Sequence, residues 1–311
     1  MKDYKDKRFY SLNQFLREKF GDKVYKISLD GGFSCPNRDG KISSKGCIYC
    51  SSRGSGDFAG NRQKSITDQF EEIKEIMEQK WKSNKFIAYF QAYTNTYAPV
   101  EVLREKYYEA ISQQGVVALS IATRPDCLGD DVLDLIEEIS KKIYTFVELG
   151  LQTVNEDTAK IINRGYPLNT FEEAMDKLNK RNIDVVTHVI FGLPGENKED
   201  MLSTIRYLND TKIKGIKIHL LHLLKNTPMV SLYENGELEF LGKEEYIDIV
   251  TESLTLLRDD IVIHRLTGDA PRDLLIGPMW SLKKWEILNA INKEMKEKDL
   301  YQSLYYHTNK I

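Results

Sequence analysis

The sequence predicts an α/β protein built on parallel strands, and three observations carry that expectation. Short stretches rich in β-branched and aromatic residues alternate with longer ones whose apolar residues recur every three or four positions. Six such strands, with helical patterns between them, imply parallel pairing through right-handed crossovers. The polar motifs fall just after strands, where chemistry collects in parallel α/β folds. Either an open doubly wound sheet or an incomplete β/α barrel satisfies all three.

Each element follows in order. KVYKISLD (23–30) is the first strand, and a cysteine-bearing loop follows it. SITDQFEEIKEIMEQKW (65–81) has the helical period, with Ser65 as its N-cap. FIAYFQA (86–92) is the second strand and runs into QAYTNTY, and PVEVLREKYYEAISQ (99–113) is the helix after it. VVALSIAT (116–123) ends at TRPDC and precedes the helix DDVLDLIEEISKK (130–142). YTFVELGL (144–151) is the fourth strand, and NTFEEAMDKLNKR (169–181) is its helix, with Asn169 as N-cap. DVVTHVIFG (184–192) leads through FGLPGE to KEDMLSTIRYLND (198–210), and GIKIHLLHL (215–223) is the sixth strand. Beyond 226 the alternation degrades, and NTPMVSLYENGELEFLGKEEY reads as a linker. Three segments result: a basic stretch over 1–22, a core over 23–225 and an extension over 226–311.

Composition narrows the class. At 311 residues, 41% hydrophobic and 29% charged, the chain has the make-up of a soluble globular enzyme. No apolar run approaches the roughly 20 residues a bilayer span needs. MKDYKDKRFYSLNQF has no apolar signal region, so a cytoplasmic protein without a membrane partner is expected. The net charge of −3 encodes no general attraction to nucleic acid. Locally, residues 1–26 carry eight Lys/Arg against four Asp/Glu, and residues 281–311 carry six against four. Such clusters meet phosphates in nucleic-acid-binding proteins, although charged faces are more often simply solvated.

The cysteines give the sharpest signal. Cys35, Cys47 and Cys50 crowd into CPNRDGKISSKGCIYC, and the chain has one other, Cys127. That is no disulfide framework. A structural zinc site wants four ligands and would have to borrow Cys127 or a distant histidine. A four-iron, four-sulfur (4Fe-4S) cluster can be held by three thiolates, leaving one iron open to a small chelating molecule. Cys127, in TRPDC, is expected to pack as a small apolar residue near the site rather than to ligate.

The spacing Cys-x11-Cys-x2-Cys, with Tyr49 before the last cysteine and a strand before the first, resembles the radical S-adenosylmethionine (SAM) superfamily. Within it the chain looks most like the YtqA/YhcC (MnmL-type) group, related to the elongator catalytic subunit, through TRPDC, ELGLQT, FGLPGE and HRLTGDAPRDLLIGPMW. The resemblance implies a partial (β/α)6 barrel, a 4Fe-4S cluster on Cys35, Cys47 and Cys50, and SAM. In that superfamily the reduced cluster cleaves SAM to a 5′-deoxyadenosyl radical that abstracts a hydrogen from the substrate. A reductant of the flavodoxin or ferredoxin type is therefore an implied partner.

Cofactor contacts follow from the same resemblance. The superfamily meets the SAM amine with a Gly-Gly-Glu-like turn after the second strand. Here QAYTNTY stands instead, offering Gln91, Tyr93, Thr94 and Asn95 by position. Strand alternation puts Glu148, Gly150 and Gln152 on one face. By resemblance, Glu148 and Gln152 lie along the SAM ribose and methionine, and Arg164 faces its carboxylate. The plainer readings are a structural carboxylate for Glu148 and a helix-terminal charge for Arg164. His188 is either a ribose partner or a satisfied core histidine.

On the substrate side, HRLTGDAPRDLLIGPMW gathers His264, Arg265 and Arg272 around a turn, with surface ion pairs as the alternative. The MnmL-type resemblance implies transfer RNA (tRNA), whose wobble uridine carries a carboxymethylaminomethyl arm that becomes aminomethyl. Arg265 or Arg272 would suit the carboxylate, and Trp280 and Trp285 a stacked base. Two other readings stay open: the same chemistry on a protein or small metabolite, and a zinc-stabilised RNA-binding module.

Overall fold

The structure, a computed structural model, describes Tyr4, residues 7–79 and residues 84–306. Residues 80 and 81, the expected end of the first long helix, lie outside the described residues.

The chain opens with α1 (Leu12–Phe20), capped by the Ser11 hydroxyl and ended by Gly21 in the left-handed conformation. Then come β1 (Tyr25–Leu29), α2 (Ile66–Glu78), β2 (Phe86–Phe90), α3 (Val100–Ile111), β3 (Val116–Thr123) and α4 (Asp130–Ser140). After β4 (Tyr144–Gln152) stand α5 (Glu156–Ile161) and α6 (Leu168–Lys180), followed by β5 (Asp184–Phe191), α7 (Lys198–Asn209) and β6 (Gly215–Leu220). The remainder holds β7 (Leu223–Leu224), α8 (Val230–Glu234), α9 (Lys243–Leu256), β8 (Val262–Arg265), β9 (Leu275–Gly277) and α10 (Lys284–Glu297).

Strands β1 to β6 and then β8 form one seven-stranded parallel sheet, curled as in a partial barrel. The expected six strands are all present. The seventh, β8, comes from the stretch expected to extend beyond the barrel. The expected linker beyond 226 contains α8 and leads directly into α9. Ser65 caps α2 as expected, accepting from the Asp68 N–H. Asn169 does not cap α6. Pro167 holds that position, and the Leu168 N–H donates instead to Glu156 Oε1 at 2.8 Å.

Helices cover the outer face, where residues such as Phe70, Phe86, Phe90, Leu133, Phe171 and Ile205 make the main core. The inner face is layered. At its lower end Ile87, Ala118, Phe146 and Val186 pack against Leu16 of α1, with Leu12, Phe15 and Phe20 alongside. Helix α1 thus plugs the end of the barrel opposite the strand C-termini. Above that apolar layer the inner face turns polar. No helix among the described residues is long and apolar enough to cross a membrane.

Candidate active site

The cysteine loop sits over the C-terminal ends of the strands, latched by backbone bonds to distant segments. Ile48 N–H donates to Ile162 O at 3.1 Å, and Met229 N–H donates to Ile48 O at 3.2 Å. Tyr93, after β2, donates its N–H to Gly54 O at 2.8 Å and its hydroxyl to Ser52 O at 2.5 Å. Ile48 and Tyr49 also pack on a second apolar cluster of Ile162, Ile190, Leu193, Leu221, Leu223 and Met229. Gly54 is required here: its φ is +59°, and a Cβ would lie 2.4 Å from the Tyr93 ring.

All four cysteines are free thiols. Burial, then Cys47, pushes the Cys50 thiol up to about 11, with Arg38 opposing. Burial also raises Cys47, against the pull of Arg124 and hydrogen bonds from Tyr49 and Asn37. Cys35 bears on both thiols, so the three are electrostatic neighbours. Each buried thiol has an arginine beside it to offset a thiolate's charge. Among the described residues no three His, Cys, Asp or Glu side chains converge on one metal-ion position. A cubane does not ask for that, because its thiolates sit on separate irons. The loop therefore fits a cluster: neighbouring thiols, cationic flanks, and backbone latches holding all three in one short segment.

Acceptors lacking donors lie close by. Asn37 Oδ1, Thr94 Oγ1 and Asn95 Oδ1 are buried without a hydrogen-bond partner. Buried polar atoms are normally satisfied. Thr94 and Asn95 belong to the segment expected to meet the SAM amine, a group rich in N–H donors. Asn95 is otherwise committed to the fold, its amide and backbone N–H both donating to Ala122 O. Gln91 is half-buried, and its N–H continues the sheet by donating to Leu29 O.

Gln152 ends β4 at a register shift with φ +67°. A non-glycine residue in that region usually marks a constrained position. The consequence is visible next door: a Cβ on Gly150 would lie 2.7 Å from Gln152 Nε2. The amide is folded back over Gly150, on the face strand alternation predicts.

Three expected cofactor contacts have other partners. Arg164, 1% exposed, gives Nη1 to Leu151 O and Thr153 O, Nε to Tyr166 O and Nη2 to Glu156. Its fork is spent on tying the α5 turn to the end of β4. Glu148 is buried with both oxygens filled, Oε1 by Lys26 Nζ at 2.7 Å and Ser120 Oγ at 2.8 Å, Oε2 by Lys217 and by His188 Nε2 at 2.7 Å. Burial opposes its charge, but Lys217, Lys26 and His188 outweigh that and hold it well below the usual carboxylate range. Glu148 thus has the buried lysine partners of its plainer reading, whereas Arg164 bonds carbonyls at the end of β4, Tyr166 O and Glu156 rather than the last carbonyls of α5. His188, held by Glu148 and 5.0 Å from the His219 ring, is pushed down to about 4, chiefly by burial.

Of the substrate-side residues, His264 and Arg265 are neighbours on β8 and Arg272 stands apart from them. His264 lies low in the barrel, edge-on to Phe146 at 5.6 Å and against Gly215. Arg272 is exposed on the turn. Arg265 faces the barrel interior. Trp280 is bound into the core, donating Nε1–H to Leu241 O at 3.1 Å and packing on Tyr246, whereas Trp285 is 75% exposed. Cys127 lies near Cys35, and burial raises it to about 12.

Sequence reasoning passed over Asn37, Arg38 and Arg124, which surround the thiols, and Lys26, Ser120 and Lys217, which surround Glu148. A signal existed for the second group. Lys26 and Lys217 interrupt apolar strands at inward-facing positions, where a polar residue needs a partner. Glu196 of FGLPGE was passed over as well. Thr153 donates to it, and burial brings it up to about 7.

A parallel partial barrel with a three-thiol loop across the strand C-termini defines an iron–sulfur class of protein. The chain belongs to the radical SAM superfamily, whose profile matches residues 39–208, and the Radical_SAM C-terminal domain profile matches residues 213–297. It is 53% identical to YtqA of Bacillus subtilis over 301 residues, 97% of this chain and 94% of that one. It is 36% identical to YhcC of Escherichia coli over 283 residues, covering 91% and 90%. The structure of Methanocaldococcus infernus Elp3 superposes with a TM-score of 0.65 at 16% identity, covering 93% of this chain and 68% of that one. A Methanocaldococcus jannaschii protein named tRNA uridine(34) acetyltransferase is 26% identical over 184 residues, 58% of this chain and 33% of its own. The chain is thus a radical SAM enzyme related to Elp3-type tRNA-modifying proteins.

Proposed function

We propose that this enzyme modifies the wobble uridine of tRNA, converting its carboxymethylaminomethyl arm to the aminomethyl form. One observation carries the chemistry: Cys35, Cys47 and Cys50 are free, mutually close and latched over the strand C-termini. When bound, a reduced 4Fe-4S cluster supplies the electron that cleaves SAM to a 5′-deoxyadenosyl radical. Cys35, Cys47 and Cys50 would hold the cluster. Arg38 and Arg124 offset thiolate charge, the orphan acceptors Thr94 Oγ1 and Asn95 Oδ1 suit the cationic amine of SAM, and Gln152 presents its amide over Gly150. The reductant belongs to the flavodoxin or ferredoxin class.

For the RNA, support comes from the relative named for its action on tRNA uridine and from the course of α10. Lys284 at the start of this 14-residue helix pairs with Asp269 of the loop after β8. Its far end forms a groove of about 710 Å³ with the N-terminal segment, lined by Tyr4, Lys7, Arg8, Asn289, Asn292, Lys293, Lys296 and Glu297. Basic residues from the two basic stretches, Lys7 and Arg8 on one side and Lys293 and Lys296 on the other, thus line one groove. Phosphates bound there would make affinity fall steeply with salt.

Two measurements test the proposal. Anaerobically reconstituted protein should be brown, carry about four irons per chain and release 5′-deoxyadenosine from SAM on reduction. Modified nucleosides of tRNA from deletion and wild-type cells should differ at the wobble uridine, and an unchanged profile overturns the substrate assignment.

A further inference from the structure

The polar layer of the barrel carries more positive than negative charge. Lys26 and Lys217 both contact Glu148, the carboxylate buried in that layer. Arg265 adds a third basic group. Strand alternation that places His264 inward would turn Arg265 outward, but a register shift intervenes between β6 and β8. It makes Arg265 the partner of Lys217, and partners in a parallel pair share a face. The fields agree: the Arg265 charge bears on Tyr89, His188, Lys217, His219 and His222.

Among the described residues no hydrogen bond or ion pair engages the Arg265 guanidinium. Glu148 cannot serve it, since both its oxygens are filled by Lys26, Ser120, Lys217 and His188. His219 Nε2 and His222 Nε2, within reach of the same field, are buried without a partner. Gly268 lies over both rings, its would-be Cβ 3.4 Å from His222 and 3.8 Å from His219. Asp269, whose charge also reaches His222, is paired with Lys284, so even were Lys217 to lose its proton, Lys26 and Arg265 would outnumber Glu148. An unpaired planar fork, two idle imidazole nitrogens and surplus positive charge ask for a planar anion with two oxygens.

We propose that the barrel interior beside Arg265 is a carboxylate site, in which the guanidinium grips both oxygens of a carboxylate borne by the substrate and His219 and His222 complete the contacts. It deepens the function proposed above by making the carboxylate of the substrate arm the group selected, and it assigns selection to Arg265 rather than His264 or Arg272. The site is a property of the protein alone, so it is testable without cluster or RNA.

The probe is acetate, compared with chloride at equal ionic strength, on cluster-free full-length protein. At ten times its dissociation constant, acetate should raise the melting temperature by about 2 °C. Arg265→Gln should abolish that shift and melt no lower than the parent, because it removes an uncompensated charge. Arg265→Lys, which keeps the charge and loses the fork, should retain only part of the shift. The other carboxylate in the system is that of SAM, so SAM binding to reconstituted Arg265→Gln is measured by equilibrium dialysis and should stay within twofold. A tenfold loss of SAM affinity would make Arg265 a cofactor residue and overturn the proposal. So would an acetate shift that survives Arg265→Gln, or a variant that melts well below the parent. A failed tRNA test with an intact acetate site would sink the RNA assignment alone.

Discussion

The side-chain amide of Asn37 reaches Cys47 Sγ at 3.5 Å and Asn163 O at 2.7 Å. One fully buried residue thus joins a candidate cluster ligand to the turn after α5. Asn37→Ala should cost about 1–3 kcal/mol through the unsatisfied carbonyl it leaves. Iron content after anaerobic reconstitution should fall relative to the parent, while far-ultraviolet circular dichroism is unchanged. Full iron loading in the variant would show the tether to be dispensable.

Gly54→Ala tests the same loop from its other end. The added methyl meets the Tyr93 ring at 2.4 Å and the backbone resists φ +59°. A substitution this small should cost more than 1 kcal/mol and lower cluster occupancy, with Cys47→Ala as the zero-iron, still-folded reference. Visible absorbance per chain reads both.

The barrel histidines predict a pH dependence. His188 and His222 are pushed down to about 4, and His219 and His264 well below their ordinary value, in every case chiefly by burial. Depressed histidines favour the neutral folded state, so their contribution is complete above the unfolded value near 6.5 and is lost as pH falls toward the folded values. Unfolding free energy of the cluster-free protein should fall by about 1.4 kcal/mol per pH unit for each histidine in that window. A flat urea-denaturation profile between pH 6.5 and 5 would contradict their burial.

Glu148→Gln should destabilise by about 3–5 kcal/mol, because Lys26 and Lys217 lose their shared counter-charge in a buried site. The depressed carboxylate contributes stability above the unfolded value near 4.3 that disappears as pH falls through its lower folded value. The variant should lack that acid limb. Equilibrium denaturation at pH 7 and pH 4 separates the two effects.

Much of this architecture was legible in the residues, for reasons that also explain what was not. Six strands and their helices announced themselves because apolar periodicity is set by local burial. β8 did not: of Val262, Ile263, His264 and Arg265, two are polar and both face inward around a register shift, so no alternation survives. The cap of α6 was misread because its donor is met by Glu156, twelve residues earlier, not by a neighbour. Cysteine spacing exposed the loop, since covalent chemistry tolerates few substitutes. The true partners of Arg164 and Glu148 depend on which strands stand side by side, and that is written in the fold.

The clasps of the cysteine loop carry a consequence for biogenesis. Its thiols leave the ribosome early, yet Ile162 and Met229, which fix Ile48 in place, are synthesised far later. A nascent chain therefore displays the three cysteines on a slack tether until most of the barrel exists. Iron delivery belongs after translation, to a finished protein rather than to an emerging peptide.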